Sequence, residues 1–230
     1  MFRFRALEAV ILNKAMSLVV VASALPFRAW SVPIESVVAH WPVVVNLLAG
    51  SILGAWIGAG WAMRLRSETL YRVIAVLLVL IALILLLGHD AAGSGQPLAS
   101  GPLLVVAGIS AGLVIGIVAS LLGVAGGELL IPTLVLLFGT DIKLAGSLSL
   151  AVSLPTMLVG FARYTQDRSF AVLRENRRFV LLMAGGSLVG AFLGGQILGV
   201  VHGNLLIPAL VLILLLSAAK VWKHSEPVGT

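Results

Sequence analysis

Long apolar runs, separated by short polar or basic stretches, make up most of the chain. These runs lie at residues 7–26, 42–63, 70–88, 102–122, 143–162, 178–200 and 204–222. Because a helix needs about 20 apolar residues to cross about 30 Å of hydrocarbon, the pattern predicts seven membrane spans. An eighth apolar segment, 128–138, covers only about 17 Å as a helix. It predicts a half-helix or one arm of a re-entrant hairpin.

The composition excludes most other classes of protein. Apolar residues make up 60% of the chain and charged residues 10%, whereas soluble domains average about 45–50% and about 25%. The absence of cysteine removes thiol catalysis, disulfides and thiolate metal sites. The histidines, at 40, 89, 202 and 224, lack ligand spacing, and no catalytic triad or phosphate loop can be assembled. We expect neither an enzyme nor a metal or other cofactor.

The basic residues indicate topology. The net charge is +6, but the basic residues lie between apolar runs, so the positive-inside bias explains them better than nucleic-acid binding does. Arginine clusters at 64–72 and 163–178 predict two cytoplasmic loops, and Lys220 and Lys223 place the C-terminus inside. The second cluster is cytoplasmic only if segment 128–138 pairs with 102–122 as a down-and-up unit.

Aromatic residues near the span ends predict interfacial anchors without a functional role. They are Trp30, Trp41, Trp61, Tyr71, Tyr164 and Trp222. At the start of the chain, Arg3, Arg5 and the small residues 22–24 resemble a cleavable signal peptide. Since Asn13 and Lys14 interrupt its apolar core, we expect an uncleaved span instead.

The sequence contains an internal repeat. Residues 50–59, GSILGAWIGA, align without a gap to residues 186–195, GSLVGAFLGG, and SLVVVASALP at 17–26 is similar to SLSLAVSLP at 147–155. The loop charges give the two copies opposite directions across the membrane. Many secondary transporters are built from such inverted repeats, with a site at the repeat interface. We interpret the glycines recurring every fourth residue, at 50–58, 108–116 and 186–194, as helix-packing stripes.

A glycine-rich break is the first candidate for chemistry. The segment LLGVAGGELLIP, residues 121–132, interrupts an apolar helix with Gly123, Gly126 and Gly127. The N–H groups freed there and the positive end of the next helix would form an anion-sized pocket, unless the break serves only to turn the chain. Glu128, inside an apolar run, is either a proton-coupling or gating carboxylate or a residue favoured by the helix dipole.

The second candidate is a set of polar residues inside two spans. Lys14 would attract an anion, neutralise Glu128 or extend to the membrane surface. Hydroxyl and amide side chains on the span of Lys14 and on the serine-rich span 143–162 would hydrogen-bond an oxyanion or link neighbouring helices. The predicted substrate-binding set comprises Asn13, Lys14, Ser17, Gly123, Gly126, Gly127, Ser147, Ser149 and Ser153.

The stretch GVAGGELLIPTLVLLFG, then IKLAGSLSLAVSLP and the twin GSxxGA segments, resembles the TauE/SafE family of membrane permeases, the sulfite exporters. The resemblance runs from about residue 7 to 222. It implies a bacterial inner-membrane carrier of two homologous halves that moves small sulfur-containing or organic anions, generally outward. The family's glycine motif falls on Gly123, Gly126 and Gly127, and its proline on Pro132.

This chain departs from the family pattern in two respects. The break expected in the first half would lie before residue 1, so either the chain starts inside a longer protein, as we expect, or its site is one-sided. Glu128 stands where an apolar residue is expected, which bears on the choice of substrate. The predicted organisation is an incomplete first repeat at 1–90, an external linker at 91–101, a second repeat at 102–222 and a cytoplasmic tail at 223–230.

The sequence therefore predicts an all-α polytopic membrane protein, an inverted-repeat helical bundle with about seven spans and one short segment. We expect it to export small anions such as sulfite or sulfonates by alternating access, from an inner membrane with both termini cytoplasmic. The expected partners are the anion and the bilayer, without nucleic acid, and a homo-oligomer is compatible with the sequence. The alternative is a non-transporting membrane scaffold subunit; an intramembrane enzyme ranks third.

Overall fold

All the regular structure in the described part of the chain is α-helical. The computed structural model describes residues 6–28, 32–87, 97, 100–165, 169–197, 211–213 and 215–222. The helices are α1 (Ala6–Arg28), α2 (Ile34–Ala39), α3 (Trp41–Arg64), α4 (Ser67–Leu87), α5 (Pro102–Leu122), α6 (Gly127–Phe138), α7 (Ile142–Thr165), α8 (Ser169–Glu175), α9 (Arg177–Ile197) and α10 (Val211–Trp222). This confirms the all-α prediction.

Five of the described helices, α1, α3, α5, α7 and α9, are long and apolar enough to cross a membrane. They coincide with five of the seven predicted spans. The helix α4, with 21 residues, occupies the third predicted span. The seventh predicted span, 204–222, begins within residues 198–210, which lie outside the described residues, so the count of seven spans stays a prediction. The helix α6 has 12 residues, which confirms a short helix at the eighth apolar segment. The predicted tail and most of the predicted linker also lie outside the described residues.

The outer surface of the bundle is apolar. Large apolar side chains project outward from several helices, with Leu182 78% exposed on α9 and Leu103 68% exposed on α5. Soluble monomers rarely expose apolar patches on this scale. Because the same helices are long enough to span a bilayer, this surface is suited to contact with lipid.

Glycines bring α3 and α5 into backbone contact. A Cβ atom at Gly54 of α3 would collide with the carbonyl of Leu113 in α5, and one at Gly116 of α5 would collide with the carbonyl of Ser51 in α3. The packing interpretation is therefore confirmed for these two stripes. In the third stripe, by contrast, a Cβ atom added at Gly190 would meet nothing within 4 Å.

The halves of the bundle pack reciprocally. In the sequence repeat, α1 corresponds to α7 and α3 corresponds to α9. The helix α7 contacts α3, and its counterpart α1 contacts α9. The helices α1 and α7 also contact one another. Two inverted repeats related by a two-fold axis would pack in this way. Their inversion itself stays a prediction.

Candidate functional site

The break between α5 and α6 is made of two glycines in the left-handed region. Gly123 ends α5 with φ +69°, and Gly126 precedes α6 with φ +78°, where L side chains are strained. The first N–H groups of a helix have no intrahelical acceptor, and Gly126, the residue before α6, has no side chain that could cap them. A Cβ atom at Gly127 would meet nothing within 4 Å. The N–H group of Leu129 already donates to the carbonyl of Gly126, so the candidate donors at the start of α6 are the N–H groups that precede it.

The helix α1 lies against this break. A Cβ atom at Gly123 would collide with the carbonyl of Val10, and the Asn13 side chain donates to the carbonyl of Leu122 across 3.4 Å, a long hydrogen bond. The Asn13 side chain is itself exposed. The two sequence candidates, the break and the polar part of α1, are thus neighbours in the fold.

Lys14 is fully buried. The side chain has 0% exposure, and its ammonium donates to the hydroxyl of Ser120 in α5 across 3.0 Å. The same ammonium lies 5.7 Å from the ring centre of Tyr164. A Cβ atom at Gly160 of α7 would lie 2.5 Å from Nζ, so the glycine provides the notch that holds the lysine. Of the three alternatives for Lys14, extension to the membrane surface is therefore not what the structure shows.

Pairing with Glu128, the second of the three alternatives for Lys14, is not seen either. Among the contacts of the described residues, Lys14 bonds to Ser120 and not to a carboxylate. Glu128 lies half-buried in the first turn of α6. Lys14 is the one charged residue among the fully buried side chains of the described chain, and its ammonium meets one hydroxyl and one aromatic ring.

The sequence predicts an interfacial anchor at Tyr164, and this prediction is wrong. Its side chain is 0% exposed, and its hydroxyl donates to the carbonyl of Ser120 across 2.7 Å. Trp41 and Trp61, 54% and 53% exposed, do occupy the surface. The difference arises because α7 turns the tyrosine toward α5 and α1, where its hydroxyl finds an acceptor.

The hydroxyls of α7 divide into separate groups. Ser153, midway along the helix, donates to the carbonyl of Ala125 in the break across 2.7 Å. Ser149 donates to the carbonyl of Gly146 in its own helix. Ser147 is buried, and its hydroxyl has no hydrogen-bond partner. Because α7 rises about 20 Å between Ser147 and Gly160, Ser147 lies away from Lys14, whereas Ser153 joins α7 to the break.

Sequence reasoning missed three residues around the lysine. Ser120 and Gly160 lie among small residues in apolar helices, where they are indistinguishable from packing positions, and Tyr164 lies near a span end, where the pattern predicts an anchor. The signal that could have found them is the orientation of the helices. Antiparallel packing of α1 on α7 places a residue early in α1, such as Lys14, opposite one late in α7, such as Gly160. Ser17, on α1, is half-buried and lies one turn beyond Lys14.

The described cavity does not coincide with these polar residues. A space of about 580 Å³ lies between α4, α5 and α6, lined by apolar side chains together with Ser110 and Thr133. Its lining suits a lipid chain better than an anion. Within the described residues, no group of three or more His, Asp or Glu side chains is arranged to hold a metal ion.

A family model described as "Sulfite exporter TauE/SafE" matches residues 1–221. No curated protein and no solved structure matches the chain.

Proposed function

Because the chain belongs to the TauE/SafE sulfite exporter family, whose members are membrane transporters and not enzymes, we propose that it carries sulfite or a short sulfonate across the bilayer. The family match covers residues 1–221, which include the break, the Lys14 helix and α7. The chain is accordingly a multi-pass membrane protein, and the substrate is the proposed part.

The observation that carries the proposal is the burial of Lys14. A charge taken out of water without an opposite charge costs several kcal/mol, and in the described chain this ammonium has a hydroxyl partner instead of a carboxylate. A small oxyanion would supply the missing negative charge. Neutral donors nearby would let the anion leave again, because hydrogen bonds to hydroxyl and amide groups are weaker than a second ion pair.

The break would complete the site. Backbone N–H groups at the start of α6, with the positive end of its dipole, favour an anion. The bond from Ser153 to Ala125 holds α7 against the break at the middle of that helix, and the Lys14 bond to Ser120 holds α1 against α5. The proposed substrate site therefore lies between α1, α7 and the break.

The mechanism we favour is alternating access. Reciprocal packing of α1 on α9 and α7 on α3 suits a movement of one half against the other, which would open the site to each side in turn. In this account outward transport is driven by protons through Glu128, and the arginine clusters face the cytoplasm with both termini. Reagents that label the stretch 163–178 only from the cytoplasmic side would support that orientation.

Counterflow in proteoliposomes tests the proposal. Vesicles that contain the purified chain and unlabelled sulfite are diluted into labelled sulfite, and we expect transient accumulation of label that methanesulfonate inhibits and choline does not. A scaffold subunit would show no accumulation above protein-free vesicles. That result, obtained with folded protein, would remove the transport function.

A further inference from the structure

The seam between α1 and α7 holds a second cation opposite a second glycine. Arg28, in the last turn of α1, places its guanidinium against Gly146, where a Cβ atom would lie 2.7 Å from Nη1 and 2.8 Å from Cζ. Lys14 stands in the same relation to Gly160. The two cations and the two glycines are each fourteen positions apart on antiparallel helices, which separates the cations by about 21 Å along the seam.

The surroundings of Arg28 contain polar atoms without partners. Its Nε is buried and makes no hydrogen bond, and the same holds for the hydroxyl of Ser147, the residue next to Gly146. Ser147 is 4% exposed. Leaving a buried donor unsatisfied costs about 1–3 kcal/mol, so two such groups on adjoining helices indicate that an acceptor belongs there.

The acid at this end of α7 is already engaged. The Asp141 carboxylate accepts hydrogen bonds from the backbone N–H groups of Lys143 and Leu144, at 2.9 and 3.4 Å, on the exposed side of the helix start. It serves as the helix cap. Attraction of Arg28 to the C-terminal end of the α1 dipole would favour the charge, but it requires neither burial against Gly146 nor an unpartnered Ser147.

We propose that Arg28 and Ser147 form a second binding station for the oxyanion, at the end of the α1–α7 seam opposite to Lys14. It rests on the proposed function and deepens it, because the anion would pass between two stations along one seam. A planar guanidinium on one helix and a hydroxyl on the adjoining helix suit a sulfonate or sulfite, whose oxygens accept several hydrogen bonds at once. Removal of Arg28 weakens binding of the anion at the Arg28 end of the seam and leaves the lysine station in place.

The chain contains no cysteine, so Ser147→Cys gives a single reporter thiol at the station. We expect saturating methanesulfonate to slow labelling of this thiol by a neutral methanethiosulfonate reagent at least about tenfold, and dimethyl sulfone, its uncharged counterpart, to leave the rate unchanged. Adding Arg28→Met abolishes the protection. Adding Arg64→Met, which removes an exposed arginine at the end of α3, keeps it. A thiol that the reagent does not reach, or protection that survives Arg28→Met, overturns the station.

A second measurement needs no cysteine, should Ser147→Cys fail to fold. Arg28→Met raises the KM for sulfite counterflow measured from one membrane face at least about tenfold, as loss of a charge-assisted hydrogen bond predicts, and Arg28→Lys recovers part of it. Equal KM values for Arg28→Met and the unmodified chain from both faces contradict the station. Absence of counterflow in the unmodified chain would instead remove the proposed transport, whereas protection of the thiol by methanesulfonate would still report on the station.

Discussion

The ammonium of Lys14 in α1 donates a hydrogen bond of 3.0 Å to the hydroxyl of Ser120 in α5, and both side chains are fully buried. Ser120 in turn is held from the other side, because Tyr164 donates to its carbonyl across 2.7 Å. The position of the buried charge therefore depends on three helices. A change at any of these contacts should alter anion binding before it alters the fold.

Removal of the Ser120 hydroxyl tests this dependence. In Ser120→Ala, the ammonium loses its hydrogen-bond partner, and a bond to a charged group contributes about 1.5–3 kcal/mol. We expect sulfite counterflow at subsaturating concentration to fall at least about tenfold. Ser110→Ala, at an exposed position of the same helix, is the control and keeps the rate. Equal rates for the two variants would show that Ser120 does not position the lysine.

The notch at Gly160 should matter for sulfite binding more than for the stability of the fold. In Gly160→Ala the new methyl group would lie 2.5 Å from the Lys14 ammonium and 3.0 Å from the Ser120 hydroxyl, so the flexible end of the lysine must move. We expect a higher KM for sulfite with thermal stability within about 1 kcal/mol of the unmodified protein, as for most small substitutions. Gly185→Ala, where a Cβ atom meets nothing within 4 Å, should change neither. An unchanged KM in Gly160→Ala would contradict the notch.

The glycine stripes of α3 and α9 should differ in how well they accept a larger side chain. Gly54→Val would force a side chain into the backbone of α5, and overpacking of this kind costs about 1–3 kcal/mol or more. Gly190→Val, at the matching position of the other copy, meets open space in the structure. Thermal unfolding in detergent should show a large loss of stability for Gly54→Val and a small loss for Gly190→Val. Equal losses would mean that the second stripe is also covered.

Proton coupling is tested at Glu128. The residue lies half-buried in the first turn of α6, where the helix dipole alone would favour a carboxylate. If it carries the proton, Glu128→Gln abolishes the flux driven by a pH gradient and preserves sulfite counterflow, which needs no gradient. Gradient-driven flux that is unchanged in Glu128→Gln would leave only the dipole role.

The elements could be predicted from the sequence because their signals are local. Span length, the glycine-rich break and the short helix α6 follow from runs of apolar residues and from Gly123, Gly126 and Gly127, and the structure has helices that begin and end where these signals lie. The glycine spacing also predicted close packing, which α3 and α5 show. These features need no knowledge of which helix is a neighbour.

The partners of the buried charge could not be predicted in the same way. Lys14 was selected because a cation inside a span is costly, but Ser120 lies 106 residues away in the sequence and resembles any serine in an apolar helix. Tyr164 was misassigned because its place near a span end matches the aromatic belt. Which face of a helix turns inward depends on its neighbours, and a single sequence does not specify them.

The proposed anion site depends on the buried ammonium of Lys14, and sulfite counterflow by Lys14→Met tests whether this ammonium binds the transported anion. With equal amounts of folded protein in the vesicles, we expect exchange by the unmodified chain and a loss of at least about a hundredfold in Lys14→Met, the effect of removing about 3 kcal/mol of charged interaction. Lys14→Arg should retain part of the exchange, because it keeps the charge. Exchange by Lys14→Met at the rate of the unmodified chain would show that the buried ammonium does not bind the anion.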